Sequence, residues 1–128
     1  MSGKSRILIV DDEAAVGAMI ATLLMRYGYE VQTVSRADKA VDLLQKQAFD
    51  LITLDVDMPD GNGFDLFERL KQMSVVNGAR VVFISGRNTP EDRQRALKLG
   101  AVDFIGKPFD PKSLLARISG YFKDENQN

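Results

Sequence analysis

Three short stretches of the chain are continuously apolar or nearly so: residues 7–10, residues 51–54 with a single hydroxyl at Thr53, and residues 81–84. Runs of this kind, rich in Val and Ile and bounded by polar residues, suit parallel strands covered on both faces. Two weaker segments have edge character, because residues 29–34 alternate apolar and polar and residues 102–105 form only a brief run. Between these segments the period lengthens to that of a helix. Val16, Ile20, Leu23 and Tyr27 fall on one stripe, flanked by Met19 and Leu24 and closed by Gly28. Ser35 with Asp38 gives a capping signal for a second helix carrying Ala37, Ala40, Val41 and Leu44. Phe64, Leu66, Phe67 and Leu70 make a third after the turn-rich residues 59–63. Thr89-Pro90 caps a fourth, with Ala96, Leu97 and Leu99 before Gly100, and Asp110-Pro111 caps a fifth, with Leu114, Leu115 and Ile118.

Five strands each followed by a helix predict an α/β fold: a single parallel sheet with right-handed crossovers. The chain is too short for an eight-stranded barrel, which leaves an open, doubly wound sheet. Its binding site is expected at the carboxyl ends of the strands, near a topological switch point. At 128 residues one domain is expected, over residues 1–123, with a polar tail at 124–128 as the possible start of a linker.

Composition narrows the chemistry. With 17 Lys and Arg against 18 Asp and Glu the net charge is −1, so no basic excess announces nucleic acid or an anionic membrane. No apolar run approaches a membrane span, and a cytoplasmic location is expected. Without Cys or His, disulfides, thiolate and imidazole metal sites and His-based catalysis are excluded. The strand ends then select Asp11-Asp12, Asp55, Ser85-Gly86 and Lys107-Pro108. Carboxylates that converge raise one another's pKa unless a cation joins them. Mg²⁺ suits such a site, since it takes oxygen ligands and tolerates one or two protein carboxylates completed by phosphate. Lys107 offers a point charge for a phosphate, Ser85 a hydroxyl donor, and an Asp can itself be the nucleophile that forms an acyl phosphate.

Four segments carry a family resemblance: residues 7–13 ending in Asp11-Asp12-Glu13, Asp55 followed by Met58-Pro59-Asp60-Gly61, Ser85 after an apolar strand, and Gly106-Lys107-Pro108-Phe109. In this order and spacing the sequence resembles a CheY-like response-regulator receiver domain over residues 6–122. The resemblance implies a flavodoxin-like sheet in the order 2-1-3-4-5 with five helices. It also implies a phosphorylation-activated switch of a two-component system or phosphorelay, not a multiple-turnover enzyme, that loses its phosphoryl group by self-dephosphorylation. Asp55 would accept the group from a phosphohistidine on a sensor histidine kinase or histidine phosphotransfer protein. Asp12 and Asp55 would bind Mg²⁺ (or Mn²⁺) directly, the backbone carbonyl of Asp57 would be a further ligand, and Asp11 would act through water. Lys107 would hold the phosphoryl oxygens. Ser85 would move toward them once Asp55 is phosphorylated, Phe104 would then turn inward as the switch aromatic, and Lys107-Pro108 would be cis. Asp57 and Arg87 would flank the path of the hydrolytic water and could pair there. The charge-free residues 14–25 of the first helix, with Ala15, Ala18 and Thr22 facing outward, would form the docking surface for the phosphodonor.

Each residue also has a plainer reading. Asp12 could simply favour a helix N-terminus, Lys107 and Ser85 could be ordinary surface groups, and Phe104 could be packing. Two other functions compete. Asp55-Val56-Asp57 matches the Asp-x-Asp of haloacid-dehalogenase-type phosphatases, but there the pair ends the first strand of a longer chain. A phosphorylation-silent interaction domain would keep the fold, yet all five polar positions are present. Residues 100–107 are not a P-loop, because Gly would be needed at Ala101 and Pro108 replaces the hydroxyl residue. No output is legible. The chain would be either a stand-alone regulator acting by protein contact, without direct nucleic-acid binding, or a receiver from a larger protein.

Overall fold

The computed structural model describes residues 4–76 and 78–126, with side chains described only as far as Phe122. In chain order the elements are β1 (Arg6–Val10), α1 (Ala14–Arg26), β2 (Glu30–Val34), α2 (Ala37–Lys46), β3 (Leu51–Leu54), β4 (Asp57–Met58), β5 (Gly61–Asn62), α3 (Gly63–Gln72), β6 (Arg80–Ser85), α4 (Pro90–Leu99), β7 (Asp103–Gly106) and α5 (Pro111–Asn126). Five parallel strands form one sheet in the order β2-β1-β3-β6-β7. Once the small antiparallel ribbon β4–β5 is set aside, this is the expected order 2-1-3-4-5. Among the described residues no helix is long and apolar enough to cross a membrane.

The continuous apolar runs became the central strands because parallel strands alternate their side chains between two covered faces. Leu8, Val10, Ile52, Leu54 and Phe83 pack into one core with residues of α2, α3 and α4. Ile7, Ile9, Leu51, Val82, Ile84 and Ile105 pack into the other with α1 and α5. The register aligns Val10 with Leu54 and Leu54 with Phe83, so the segments after β1, β3 and β6 emerge on one rim.

Several local details differ from the pattern of the sequence. The buried stripe of α1 is Gly17, Ile20, Ala21 and Leu24; Val16 and Leu23 are only partly buried, and Tyr27 is 63 % exposed beyond the helix end. Counting large apolar side chains misplaces the stripe, because Gly17 and Ala21 reach the sheet by being small. The start of α2 is not capped by Ser35. Its Ala37 and Asp38 N–H groups donate to the carboxylate of Asp60, at 2.9 and 3.1 Å, from the loop between β4 and β5. The other predicted caps form: Asp92 N–H donates to Thr89 Oγ1 at 3.1 Å, Ser113 N–H to Asp110 Oδ2 at 3.0 Å, and Gly100 closes α4 with a φ of 112°. The third helix has a cap that the sequence pattern did not single out, Asn62 Oδ1, which accepts Asp65 N–H at 2.9 Å. Helix α5 extends to Asn126, three residues into the expected tail at 124–128, and residues 127–128 lie outside the described residues.

Candidate functional site

Strand ends deliver the polar groups. The sheet ladder continues one residue past β1 and β3, as Asp11 N–H donates to the Val34 carbonyl and Asp55 N–H to the Val10 carbonyl, each at 3.1 Å. This fixes both carboxylates at the rim, and both are buried. The turn after β3 depends on Gly63, whose N–H donates to the Val56 carbonyl at 2.7 Å. A Cβ at Gly63 would fall 2.1 Å from the Asp55 carbonyl oxygen, so no other residue fits without moving that backbone.

Asp55 is held from two sides. Its Oδ1 accepts Ser85 Oγ–H at 2.8 Å and Asp57 N–H at 3.2 Å, and its Oδ2 accepts Lys107 Nζ at 2.8 Å. The same ammonium lies 2.9 Å from Asp11 and 2.8 Å from Glu13. Lys107 is anchored through its own backbone, whose N–H donates to the Ser85 carbonyl at 2.9 Å, and the Lys107-Pro108 bond is cis as the resemblance implied. Asp11, Asp12, Glu13 and Asp55 each place a carboxylate oxygen within 4.8 Å of the others.

One ammonium faces four carboxylates in this cluster, and the titration of the groups reflects it. Burial pushes Asp11 above the usual carboxylate range, more than its bonds from Lys107 and Glu13 N–H pull it down. Asp12 is exposed, yet partial desolvation of its carboxyl and then the charge of Asp55 push it the same way. Burial works against the charge of Lys107, but its bonds to Asp55, Glu13 and Asp11 outweigh this and raise its pKa well above the usual value. The donor set is all oxygen and in excess of negative charge, which fits a hard divalent cation.

The structure thus brings together Asp11, Asp12, Asp55, Ser85 and Lys107. It adds Glu13, to which sequence reasoning gave no role: an acid in the residue before a helix reads as a partner of the helix N-terminus, and only the fold reveals its bond to Lys107. Phe104 is buried and stacked on Phe83, with ring centres 5.8 Å apart and planes at 10°. The resemblance makes Ser85 contact and an inward Phe104 consequences of phosphorylation; here Ser85 donates to the Asp55 carboxylate itself while Phe104 is buried. Arg87 Nη1 lies 3.7 Å from Asp57, and its Nε lies 3.3 Å from the buried Asp92, so the Asp57 pairing exists but Arg87 is shared. Ala15, Ala18 and Thr22 are exposed on α1 and line a groove of about 440 Å³ together with Met19, Phe109 and Pro111.

Comparison with known proteins finds relatives over most of the chain. A family model described as the response regulator receiver domain matches residues 7–119. The phosphate regulon transcriptional regulatory protein PhoB of Escherichia coli is 39 % identical over 118 residues, which are 92 % of this chain and 52 % of PhoB. The chain therefore spans about half the length of the curated relatives it matches. A CheY-like receiver domain protein from Methanospirillum hungatei superposes with a TM-score of 0.89 at 28 % identity, covering 98 % of both chains. The receiver domain of HemR from Leptospira biflexa, in its non-phosphorylated form, gives a TM-score of 0.83 at 35 % identity, over 91 % of this chain and 92 % of that one.

Proposed function

The chain belongs to the response regulator receiver domain family, whose members are phosphorylation-activated switches of two-component signalling, and on that premise we propose the part each residue plays. Asp55 is the acceptor: a carboxylate oxygen attacks phosphorus, the P–N bond of a phosphohistidine donor breaks, and its electron pair returns to the donor's imidazole. The observation that carries this reading is the position of Asp55, whose two oxygens meet Ser85 Oγ and Lys107 Nζ, each at 2.8 Å, beside three further acids. Phosphoryl transfer asks for positioning and charge neutralisation rather than an acid or base, so the lack of His is no obstacle.

Asp12 and Asp55, the Asp57 carbonyl and, through water, Asp11 would hold Mg²⁺, or Mn²⁺ in its place. Such an ion supplies the positive charge that an anionic donor needs to approach four carboxylates. Lys107 holds a phosphoryl oxygen, and its ties to Asp11 and Glu13 keep it in place while Asp55 reacts. Ser85 directs its hydroxyl to the same group, and Phe104 fills the space next to Phe83 when Ser85 does so. The domain sheds its phosphoryl group by hydrolysis rather than turning over substrate. Neither the Asp-x-Asp phosphatase nor the silent interaction domain is favoured by any feature of the site.

Labelling from acetyl phosphate with Mg²⁺ tests the assignment. Asp55→Asn should incorporate no phosphate, and full labelling of that variant would overturn it. The donor is a sensor histidine kinase or histidine phosphotransfer protein that docks a helix on the small, uncharged outer face of α1. Ala18→Arg should fold and label normally with acetyl phosphate yet receive phosphate from its phosphohistidine donor at least tenfold more slowly. Undiminished transfer would place the docking surface elsewhere.

A further inference from the structure

Helix α4 reaches β7 at Phe104 through Arg93. Arg93 Nη1 donates to the Phe104 carbonyl at 3.3 Å, and the guanidinium carbon lies 5.3 Å from the centre of the Phe104 ring. A single residue thus grips both the backbone and the ring of the buried aromatic. Its base is firm, since Arg93 follows the buried Asp92. The Asp92 carboxylate accepts Thr89 N–H at 3.2 Å and Arg87 Nε–H at 3.3 Å, and Thr89 Oγ1 accepts Asp92 N–H at 3.1 Å. Close approach to β7 also needs Gly106, where a Cβ would lie 3.3 Å from Arg93 Nη2 and 2.7 Å from Asn88 Nδ2.

The grip is connected to the acceptor through the β6–β7 pairing. Phe83 is the register partner of Phe104, and Ser85, two residues on, is the partner of Gly106. Stacking Phe104 on Phe83 therefore fixes the end of β6 from which Ser85 donates to Asp55. We propose that Arg93 is a positioning residue: it clamps Phe104 in its buried seat, thereby keeps Ser85 Oγ on Asp55, and so sets how tightly the domain holds a phosphoryl group there. The inference rests on Asp55 being the acceptor. A partly exposed stack and one hydrogen bond bias a two-state equilibrium severalfold, so Arg93 tunes the switch without being essential to it. A Lys could supply a cation but not the planar stack and the directed N–H together.

Ring-proton contacts between Phe83 and Phe104, followed by NMR, and a titration with beryllofluoride and Mg²⁺ test this. Arg93→Ala should weaken the ring contacts and lower beryllofluoride affinity about two- to fivefold, with saturation restoring the contacts. Arg93→Lys should fall between that variant and the parent. Unchanged ring contacts in Arg93→Ala overturn the clamp, whatever happens to affinity. Lost contacts with unchanged affinity overturn its coupling to the acceptor. If Asp55→Asn bound beryllofluoride as the parent does, the acceptor reading would fail instead, and the ring contacts would still decide the clamp.

Discussion

Arg87 shows how a residue acquires its role from a partner far less obvious than its neighbour. Its Nη1 is 3.7 Å from Asp57 and both side chains are more than half exposed, so that pair is screened and weak. The bond from its Nε to Asp92 is shorter, at 3.3 Å, and ends on a buried carboxylate. Arg87 should therefore keep its place against Asp92 even without Asp57. If it shields the phosphoryl group from water, Arg87→Ala should speed loss of phosphate from Asp55 about two- to fivefold, while Asp57→Ala changes the rate by less than about twofold. Decay of radiolabelled protein measures both, and equal rates in all three proteins would remove Arg87 from the hydrolytic path. Asp11, Asp55, Ser85 and Lys107 were legible in the sequence because each follows or ends an apolar run whose direction in the sheet is fixed. Glu13 and Arg93 were not, because their partners, Lys107 and Phe104, are brought to them only by the tertiary fold.

Helix starts divide in the same way between local and tertiary causes. Thr89 and Asp110 act within their own turn, three residues ahead, and a sequence reading finds them. Helix α2 takes its cap from Asp60, 23 residues away from Ala37, and no window along the chain reveals it. The ribbon β4–β5 was equally hidden, since strands of two residues have no period. Because Asp60 accepts two N–H groups of α2 and also lies 3.5 Å from Arg36, it ties the loop after Asp55 to the neighbouring helix. Its bonds to Ala37 N–H and Asp38 N–H hold its carboxyl below the usual range, against the opposing effect of burial. Asp60→Ala should lower the urea midpoint at least twice as far as Ser35→Ala, whose hydroxyl caps nothing in α2. Equal shifts would show that the start of α2 does not depend on the loop.

At the scale of the molecule, the order of strands concentrates negative charge at one rim while the chain as a whole is nearly neutral, at −1. The fold was legible because strand and helix patterns alternate five times along the chain, but the energetic cost of the rim depends on distances that only the structure gives. Asp11 and Asp12 have carboxyl pKa values raised above 3.8, each first by desolvation. An acid whose folded pKa is raised destabilises the fold at every pH above that value, and the penalty is relieved as pH falls through it toward the unfolded value. Without divalent metal, Asp12→Asn should therefore melt slightly higher than the parent at pH 7, since the exposed carboxylate is screened by solvent, and the difference should shrink as pH falls toward 4 and Asp12 takes up a proton. Divalent metal should reverse the ranking, because an ion that binds only the folded state stabilises it by about 2.7 kcal/mol at a hundred times its dissociation constant. Mg²⁺ titrated into both proteins should raise the melting temperature of the parent well above that of the variant, whose remaining carboxylates bind the ion more weakly. Equal Mg²⁺-induced shifts in the two proteins would show that Asp12 is not a metal ligand, and a variant less stable than the parent in chelator at pH 7 would show that the Asp12 charge does not destabilise the fold.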